Sequence, residues 1–309
     1  MNRASRADEH EPMRVAVTGA SGLIGSALVP HLRETGHDVV RFVRGTAKAR
    51  DERTWDPSAR RLDPALLEDV DAVVHLAGAG VADKRWTPSY KDKILRSRVD
   101  GTTAVAEAIA ASGHPTVLLS ASAVGWYGDT GDRLTDETGP TGEGFLAEVC
   151  REWEDATQPA EGTARVSHLR TGYVLAEDAL GLRKQVQVAR LGLGAPLGSG
   201  RQWMSWITLS DEVRAITHLL TAAVAGPVNL VGPNPATNAE LTRAINRAVH
   251  RPTFPVPVPG FALKAALGPF ASEGVLIGQR LAPAVLARTG FTFVHSELDA
   301  ALAAMLTPA

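Results

Sequence analysis

The stretch that decides the fold is RVAVTGASGLIGSALVPHL, residues 14–32. Val15 and Val17 alternate with small residues up to Thr18, the pattern of a buried first strand. Gly19, Gly22 and Gly25 follow at three-residue spacing, and Leu28 and Leu32 then repeat at helical spacing as far as a stop at Gly36. A tight strand-to-helix turn needs glycine where a Cβ would block the backbone. The amides at the new helix N-terminus face outward, where the dipole favours a pyrophosphate. A glycine triplet alone is weak evidence, but between a strand and a helix it points to dinucleotide binding. The plain alternative is a glycine-rich loop without a ligand.

The spacing is G-x-x-G-x-x-G, and TGASGLIG resembles the cofactor fingerprint of the extended short-chain dehydrogenase/reductase superfamily, which contains the nucleotide-sugar epimerases. The resemblance implies cofactor contacts from Gly19, Ala20, Ser21, Gly22, Leu23, Ile24 and Gly25. Downstream, HDVVRFVR reads as a second strand ending at Arg44. In a dinucleotide fold the residue there meets the adenosine ribose: an acid bonds the 2′-hydroxyl, whereas an arginine accommodates a 2′-phosphate. Asp38 lies at the opposite end of the strand, so Arg44 favours NADP(H) over NAD(H); the alternative is a solvated surface arginine. DAVVHLAGAG, residues 71–80, reads as a buried strand with a glycine-containing exit. By the same resemblance Leu76, Ala77 and Gly78 line the cofactor, while His75 reads as a core histidine.

A chain of 309 residues can build one large domain or a core with a smaller lobe. Apolar residues at 44% and charged residues at 21% are ordinary for a soluble globular protein. A net charge of -2 argues against nucleic acid or an anionic membrane as the main partner, leaving a small-molecule substrate. The sole cysteine, Cys150, excludes an internal disulfide, fits a reducing cytoplasm and reads as a core thiol. No run approaches the length of a membrane span. Residues 1–12 lack an apolar core and read as a disordered tail. Residues 13–169 then form the expected NADP-binding domain. Residues 170–309 form a substrate lobe, with strands returning at about 203–231 and a helical C-terminal region. Alternation of strand and helix demands an α/β fold, a doubly wound parallel Rossmann sheet with a smaller, mainly helical C-terminal lobe.

The usual superfamily catalyst is a tyrosine with a lysine four residues later, the ammonium lowering the phenol pKa for proton shuttling. Four residues after the three tyrosines, Tyr90, Tyr127 and Tyr173, stand Ile94, Gly131 and Glu177. Where the pair would align stand Phe145 and Val149, and the usual helical asparagine aligns with Arg98. In TVLLSASAVGWYGD, a strand over 116–119 with its exit, Ser122 matches the superfamily serine that faces the substrate. Tyr127, five residues on, is the best-placed replacement proton donor, with an expected phenol pKa of about 10. The nine histidines never pair at three or four apart on one helix, which gives no metal site, and no G-x-S-x-G elbow is present. Glu152 and Glu154 flank Trp153 and read as a solvated helix face.

Together these features resemble one branch, the atypical extended short-chain dehydrogenases called "epimerase family protein". The resemblance runs through KDKILRSRVDGT (91–102), SASAVGWYGD (120–129), CREWE (150–154), LRTGYVL (169–175), GSGRQWMSWI (198–207) and LIGQRLAPAVLARTGFTF (276–293). It implies NADP(H) binding with a contact from Arg98, and supplies no substrate. One expectation is an oxidoreductase or epimerase-like enzyme in which Tyr127, an acidic side chain or water replaces the lost tyrosine. Residues 192–206 would line its cleft, with Trp126, Trp203 and Trp206 as lining or packing aromatics. The other is a non-catalytic NADP(H)-binding sensor or interaction protein. Helices over 88–112 and 143–158 are the expected contact of a homodimer, by analogy with related folds.

Overall fold

Strand β1 (Arg14–Thr18) leads through the glycine turn into α1 (Leu23–Glu34); β2 (Asp38–Val43) then pairs parallel with β1, and β3 (Glu52–Thr54) with β2. The chain next crosses to the other side of β1, where β4 (Ala72–His75), α2 (Pro88–Ser112), β5 (Val117–Ala123), α3 (Phe145–Asp155) and β6 (Arg165–Thr171) continue the sheet. After β6 come β7 (Tyr173–Leu175), α4 (Leu180–Arg190), β8 (Trp203–Met204), β9 (Trp206–Thr208), α5 (Leu209–Thr221) and β10 (Gly226–Leu230). The chain ends through β11 (Ala236–Thr237), α6 (Asn238–Ala248), α7 (Gly260–Leu267), α8 (Ala284–Arg288) and α9 (Leu298–Leu306). This computed structural model describes residues 11–306, so most of the tail expected at 1–12 lies outside the described residues.

The main sheet has seven strands in the order β10-β6-β5-β4-β1-β2-β3, all parallel. It is doubly wound, and the strand order reverses between β1 and β4. Because side chains alternate along a strand, each strand serves both faces. Val15, Val17, Val74 and Leu119 pack with α1 and α5 on one side; Ala16, Val73 and Leu118 pack with α2 on the other. Helix α2 starts at a Thr87 cap and stops at Gly113, whose φ of 69° is the left-handed conformation glycine adopts without penalty. Among the described residues no helix is long and apolar enough to cross a membrane.

The structure departs from the sequence expectations where apolar pattern is weak or the chain changes partner. Edge strand β3 is Glu-Arg-Thr, too polar to stand out as a strand. Helix α4 lies just before the glycine-rich stretch and escapes the reading. Strand β5 extends to Ala123, so Ser122 is inside the strand. The stretch VSHLRTGYVL, residues 166–175, is not one continuous strand but breaks at Gly172, where an added Cβ would lie 2.4 Å from the Ser205 carbonyl oxygen. Beyond that break β7 leaves the main sheet and pairs with β9. Within 203–231 it is β10 that returns to the main sheet, while β8 pairs antiparallel with β11. The boundary expected at 169/170 falls inside β6. The cap of α5 is Thr208, whose hydroxyl accepts the Asp211 amide.

Candidate functional site

In an open parallel sheet the crevice lies beyond the carboxyl ends of the strands, at the point where their order reverses. Here two loops meet at that point. The glycine turn after β1 presses on the exit of β4: a Cβ on Gly19 (φ 68°) would lie 2.8 Å from the Leu76 carbonyl carbon. Thr18 ties the same two loops, its hydroxyl oxygen accepting the amides of Leu76 (3.1 Å) and Ala77 (3.3 Å). Gly25 packs inward, where a Cβ would come within 2.3 Å of the Gly19 carbonyl oxygen. Ser21 and Gly22 face outward and are exposed. Gly22 caps α1 without a side chain, and no acidic residue occupies the first turn. The positive end of the α1 dipole is therefore left for an external anion, the arrangement a pyrophosphate fits.

Arg44 follows the end of β2 and is exposed. Its neighbours are committed: Arg41 grips Asp51 at 2.7 Å and Glu52 at 3.2 Å, and Arg33 also reaches Asp51. These cations hold the Asp51 carboxyl down at about 2. Arg44 makes no ion pair among the described residues. Arg98 braces the β4 exit from below, donating from Nη1 to the carbonyls of Ala79 (2.9 Å) and Ile94 (3.0 Å) while its guanidinium lies 4.8 Å over Trp153. Its aliphatic stem lies against Gly78.

Ser122 and Tyr127, the expected catalytic pair, are each only 4% exposed and belong to a closed polar network. The Ser122 hydroxyl donates to Glu154 Oε1 at 2.6 Å. Arg170, itself 3% exposed, donates from Nε and Nη2 to the two Glu154 oxygens at 2.8 and 2.9 Å. Its Nη1 donates to the Tyr127 hydroxyl (2.9 Å), which in turn donates to Asn229 Oδ1 (2.7 Å). The guanidinium also stacks 3.9 Å over Trp126. Burial pushes the Tyr127 phenol up to about 12, above the expected value, despite the neighbouring Arg170. In this arrangement its proton is engaged by Asn229. Glu154, expected on a solvated face, is buried instead. The spacing Ala147, Cys150, Glu154 places it on the inner side of α3, a signal that helical periodicity carried. Arg170 and Asn229 were missed, because a polar residue inside a buried strand gives no periodic signal of its own.

The location of the absent catalytic pair is apolar. Val149 is buried in a cluster with Trp86, Tyr90 and Ile94, against which Phe145 and Phe270 pack. The Phe145 ring meets Trp86 edge-on at 5.1 Å, and the Lys91 ammonium rests 4.5 Å from the Phe145 ring. Glu273, from the C-terminal half, accepts the Leu146 amide at 2.9 Å and so caps α3, whose own N-cap is Gly144. His75 is a core residue, hydrogen-bonded to Thr18 at 2.8 Å and pushed down to about 4 by burial, hence neutral. Burial likewise lifts the Cys150 thiol to about 12. Trp206 is a packing residue donating to the Asn234 carbonyl; Trp203 donates to Asp132 at 2.7 Å beneath the Arg280 guanidinium. Among the described residues no three His, Cys, Asp or Glu side chains gather as a metal site.

Comparison with known proteins agrees with this architecture. Residues 15–147 match the model of the NAD dependent epimerase/dehydratase family, and residues 258–305 match a domain of unknown function. An epimerase family protein of Mycobacterium tuberculosis, MT2273, is 49% identical over 290 residues, covering 93% of this chain and 96% of that one. The crystal structure of human epimerase family protein SDR39U1 (isoform 2) with NADPH superposes with a TM-score of 0.87 at 32% identity, over 95% of this chain and 99% of that one. A nucleoside-diphosphate sugar epimerase from Corynebacterium glutamicum has a TM-score of 0.77 at 37% identity, covering 96% of this chain and 58% of that one.

Proposed function

The chain belongs to the epimerase family of extended short-chain dehydrogenases/reductases, and from that premise we propose that it binds NADP(H) and serves as an oxidoreductase or epimerase-like enzyme that dispenses with the Tyr-x-x-x-Lys pair. The observation that carries the reading is the uncapped α1 N-terminus, open at Ser21 and Gly22, with the unpaired Arg44 beyond the end of the neighbouring strand. In this reading the 20–25 turn holds the pyrophosphate, Arg44 the 2′-phosphate, and Leu76, Ala77 and Gly78 the floor that Arg98 braces. The human relative's structure with NADPH supports the choice of cofactor. When bound, the nicotinamide supplies or takes up a hydride; the chain's part is to orient it and to exclude water. The substrate is a small molecule, held between the β4 exit and the C-terminal lobe.

A second reading has its own observation. Phe145 and Val149 sit in an apolar cluster and the hydroxyls of Ser122 and Tyr127 are committed to buried partners, an arrangement suited to a non-catalytic NADP(H) sensor. One experiment separates the two. NADPH and NADH are titrated by fluorescence, and the NADPH-loaded protein is then screened against carbonyl compounds for cofactor oxidation. Preferred binding of NADPH with turnover is the expected result. Preferred binding with no turnover across a broad panel selects the sensor, and equal titration curves for the two cofactors remove the role of Arg44.

A further inference from the structure

Charge and apolar surface are unevenly distributed over this molecule. Residues 179–208 and 241–272 together carry eight Lys and Arg side chains and no Asp or Glu, in a chain whose net charge is -2. Among the described residues only Arg247 of these eight forms an ion pair, with Asp299. Nine large apolar side chains are exposed among the described residues, and seven of them lie between Val188 and Leu267. Leu191 and Phe261 are the most exposed, at 75% and 78%. Cations without counter-charges and apolar side chains without a cover thus share one part of the chain.

The fold gathers these segments into one surface. At the end of α4 the Leu193 amide returns to the Val188 carbonyl, and Arg251 Nε reaches the Arg190 carbonyl, each at 3.1 Å. Residues 194–198 then run beside 254–258: the Phe254 amide donates to the Gly194 carbonyl and the Val258 amide to the Pro196 carbonyl, each at 2.8 Å. Pro259 leads directly into α7, GFALKAAL, which is apolar apart from Lys264 and buries none of its residues. A helix apolar all round belongs under another layer, and large uncovered apolar patches mark interaction surfaces. The stretch 254–259 also has little free backbone. Pro255, Pro257 and Pro259 carry no N–H, and the amides of Phe254 and Val258 are already used. That lowers the cost of moving it out of water, because each unsatisfied amide in an apolar phase is expensive. Arg190 precedes Leu191, Arg251 lies against Arg190, and Lys264 shares α7 with Phe261; all three cations are exposed. Like charge opposes a second copy seated on the same face, whereas an anionic lipid surface supplies both phosphates and an apolar interior.

We propose that the end of α4, residues 253–259 and α7 form a docking surface for an anionic phospholipid bilayer. Leu191, Val256 and Phe261 enter the boundary between headgroups and acyl chains, and the neighbouring cations meet the lipid phosphates. The test is flotation of the full chain with vesicles of phosphatidylcholine alone and of phosphatidylcholine mixed with phosphatidylglycerol. The wild type should float with the mixed vesicles and bind the neutral ones at least about tenfold more weakly. Salt at about 1 M, where the screening length falls to about 3 Å, should release it. Lys184→Gln with Arg190→Gln and Lys264→Gln removes three cations and should weaken binding about 100-fold. Leu191→Ser with Phe261→Ser should weaken it on the same scale, about 100-fold. All five side chains are exposed, so circular dichroism and the thermal transition should match the wild type. A wild-type protein that floats with neither vesicle overturns the proposal, as does binding that either set of substitutions leaves unchanged. An oligomer in sedimentation analysis that Leu191→Ser with Phe261→Ser dissociates would assign the surface to a second copy and overturn it as well.

Discussion

Two regions lie at the carboxyl ends of the same sheet and obey opposite rules. The glycine turn between β1 and α1 is open, built from backbone, and leaves a helix N-terminus without a cap. The network at the ends of β5, β6 and β10 is closed and built from side chains: Ser122, Glu154, Arg170, Tyr127 and Asn229 satisfy one another. Each looks chemically rich in the sequence. What separates them is spare capacity: a binding site keeps hydrogen-bonding groups available, whereas a structural network uses its own. The "CREWE" and "LRTG" motifs thus read as halves of one internal ion pair.

The largest test of this contrast breaks the ion pair. Glu154→Ala leaves the Arg170 guanidinium buried without compensation and should cost about 3–5 kcal/mol of stability in chemical denaturation. The double variant Glu154→Leu with Arg170→Met should cost much less, since neither charge is left unpaired. A single variant as stable as the wild type would mean the network opens to water.

Next in size is Gly22→Val. Gly22 is exposed with φ -77°, and an added Cβ would lie 3.2 Å from the Gly19 carbonyl oxygen, a contact a small shift relieves, while the side chain would stand where the proposed pyrophosphate approaches. NADPH affinity should fall about 100-fold, the scale of two charge-assisted hydrogen bonds, with the thermal transition nearly unmoved. Gly25→Val should instead unfold the turn, because its Cβ has no room. With Arg44 holding the 2′-phosphate as proposed, Arg44→Ala removes one charge-assisted contact of about 1.5–3 kcal/mol. The preference for NADPH over NADH should shrink about tenfold or more in paired titrations, with stability unchanged.

Tyr127→Phe acts on the closed region only. It strips partners from Asn229 and Arg170 and should cost roughly 1–2 kcal/mol, while the NADPH dissociation constant stays as in the wild type. A loss of binding without a loss of stability would return Tyr127 to the crevice. The last test is a slope rather than a single value, and it compares two buried glutamates. Glu154 has Arg170; Glu212 has, among the described residues, only the Thr171 hydroxyl, and burial raises its pKa from 4.5 to about 8. The folded chain keeps this proton where the unfolded chain has lost it. The stabilising contribution is therefore full below about pH 4.5 and is lost as pH rises to about 8, on the order of 1 kcal/mol per pH unit. Glu212→Gln should lack that slope in denaturation curves taken across the window.

The sequence alone determined the parallel sheet, the glycine turn and the absence of the tyrosine–lysine pair. Each is a local matter: alternation along a strand, glycine at a turn, two side chains four residues apart. The helix read from Pro88 to about Ser112 was legible for the same reason, and the structure bounds it with a Thr87 cap and a stop at Gly113. Only the tertiary structure decided what the polar residues do. Ser122 and Glu154 are 32 residues apart, and Tyr127 and Asn229 are 102 apart, so no window of sequence shows that they meet. The same holds for Glu212, whose burial depends on where α5 lands against α1 and β6. A strand or a turn is specified by its neighbours in the chain; the protonation and availability of a side chain are specified by neighbours in space.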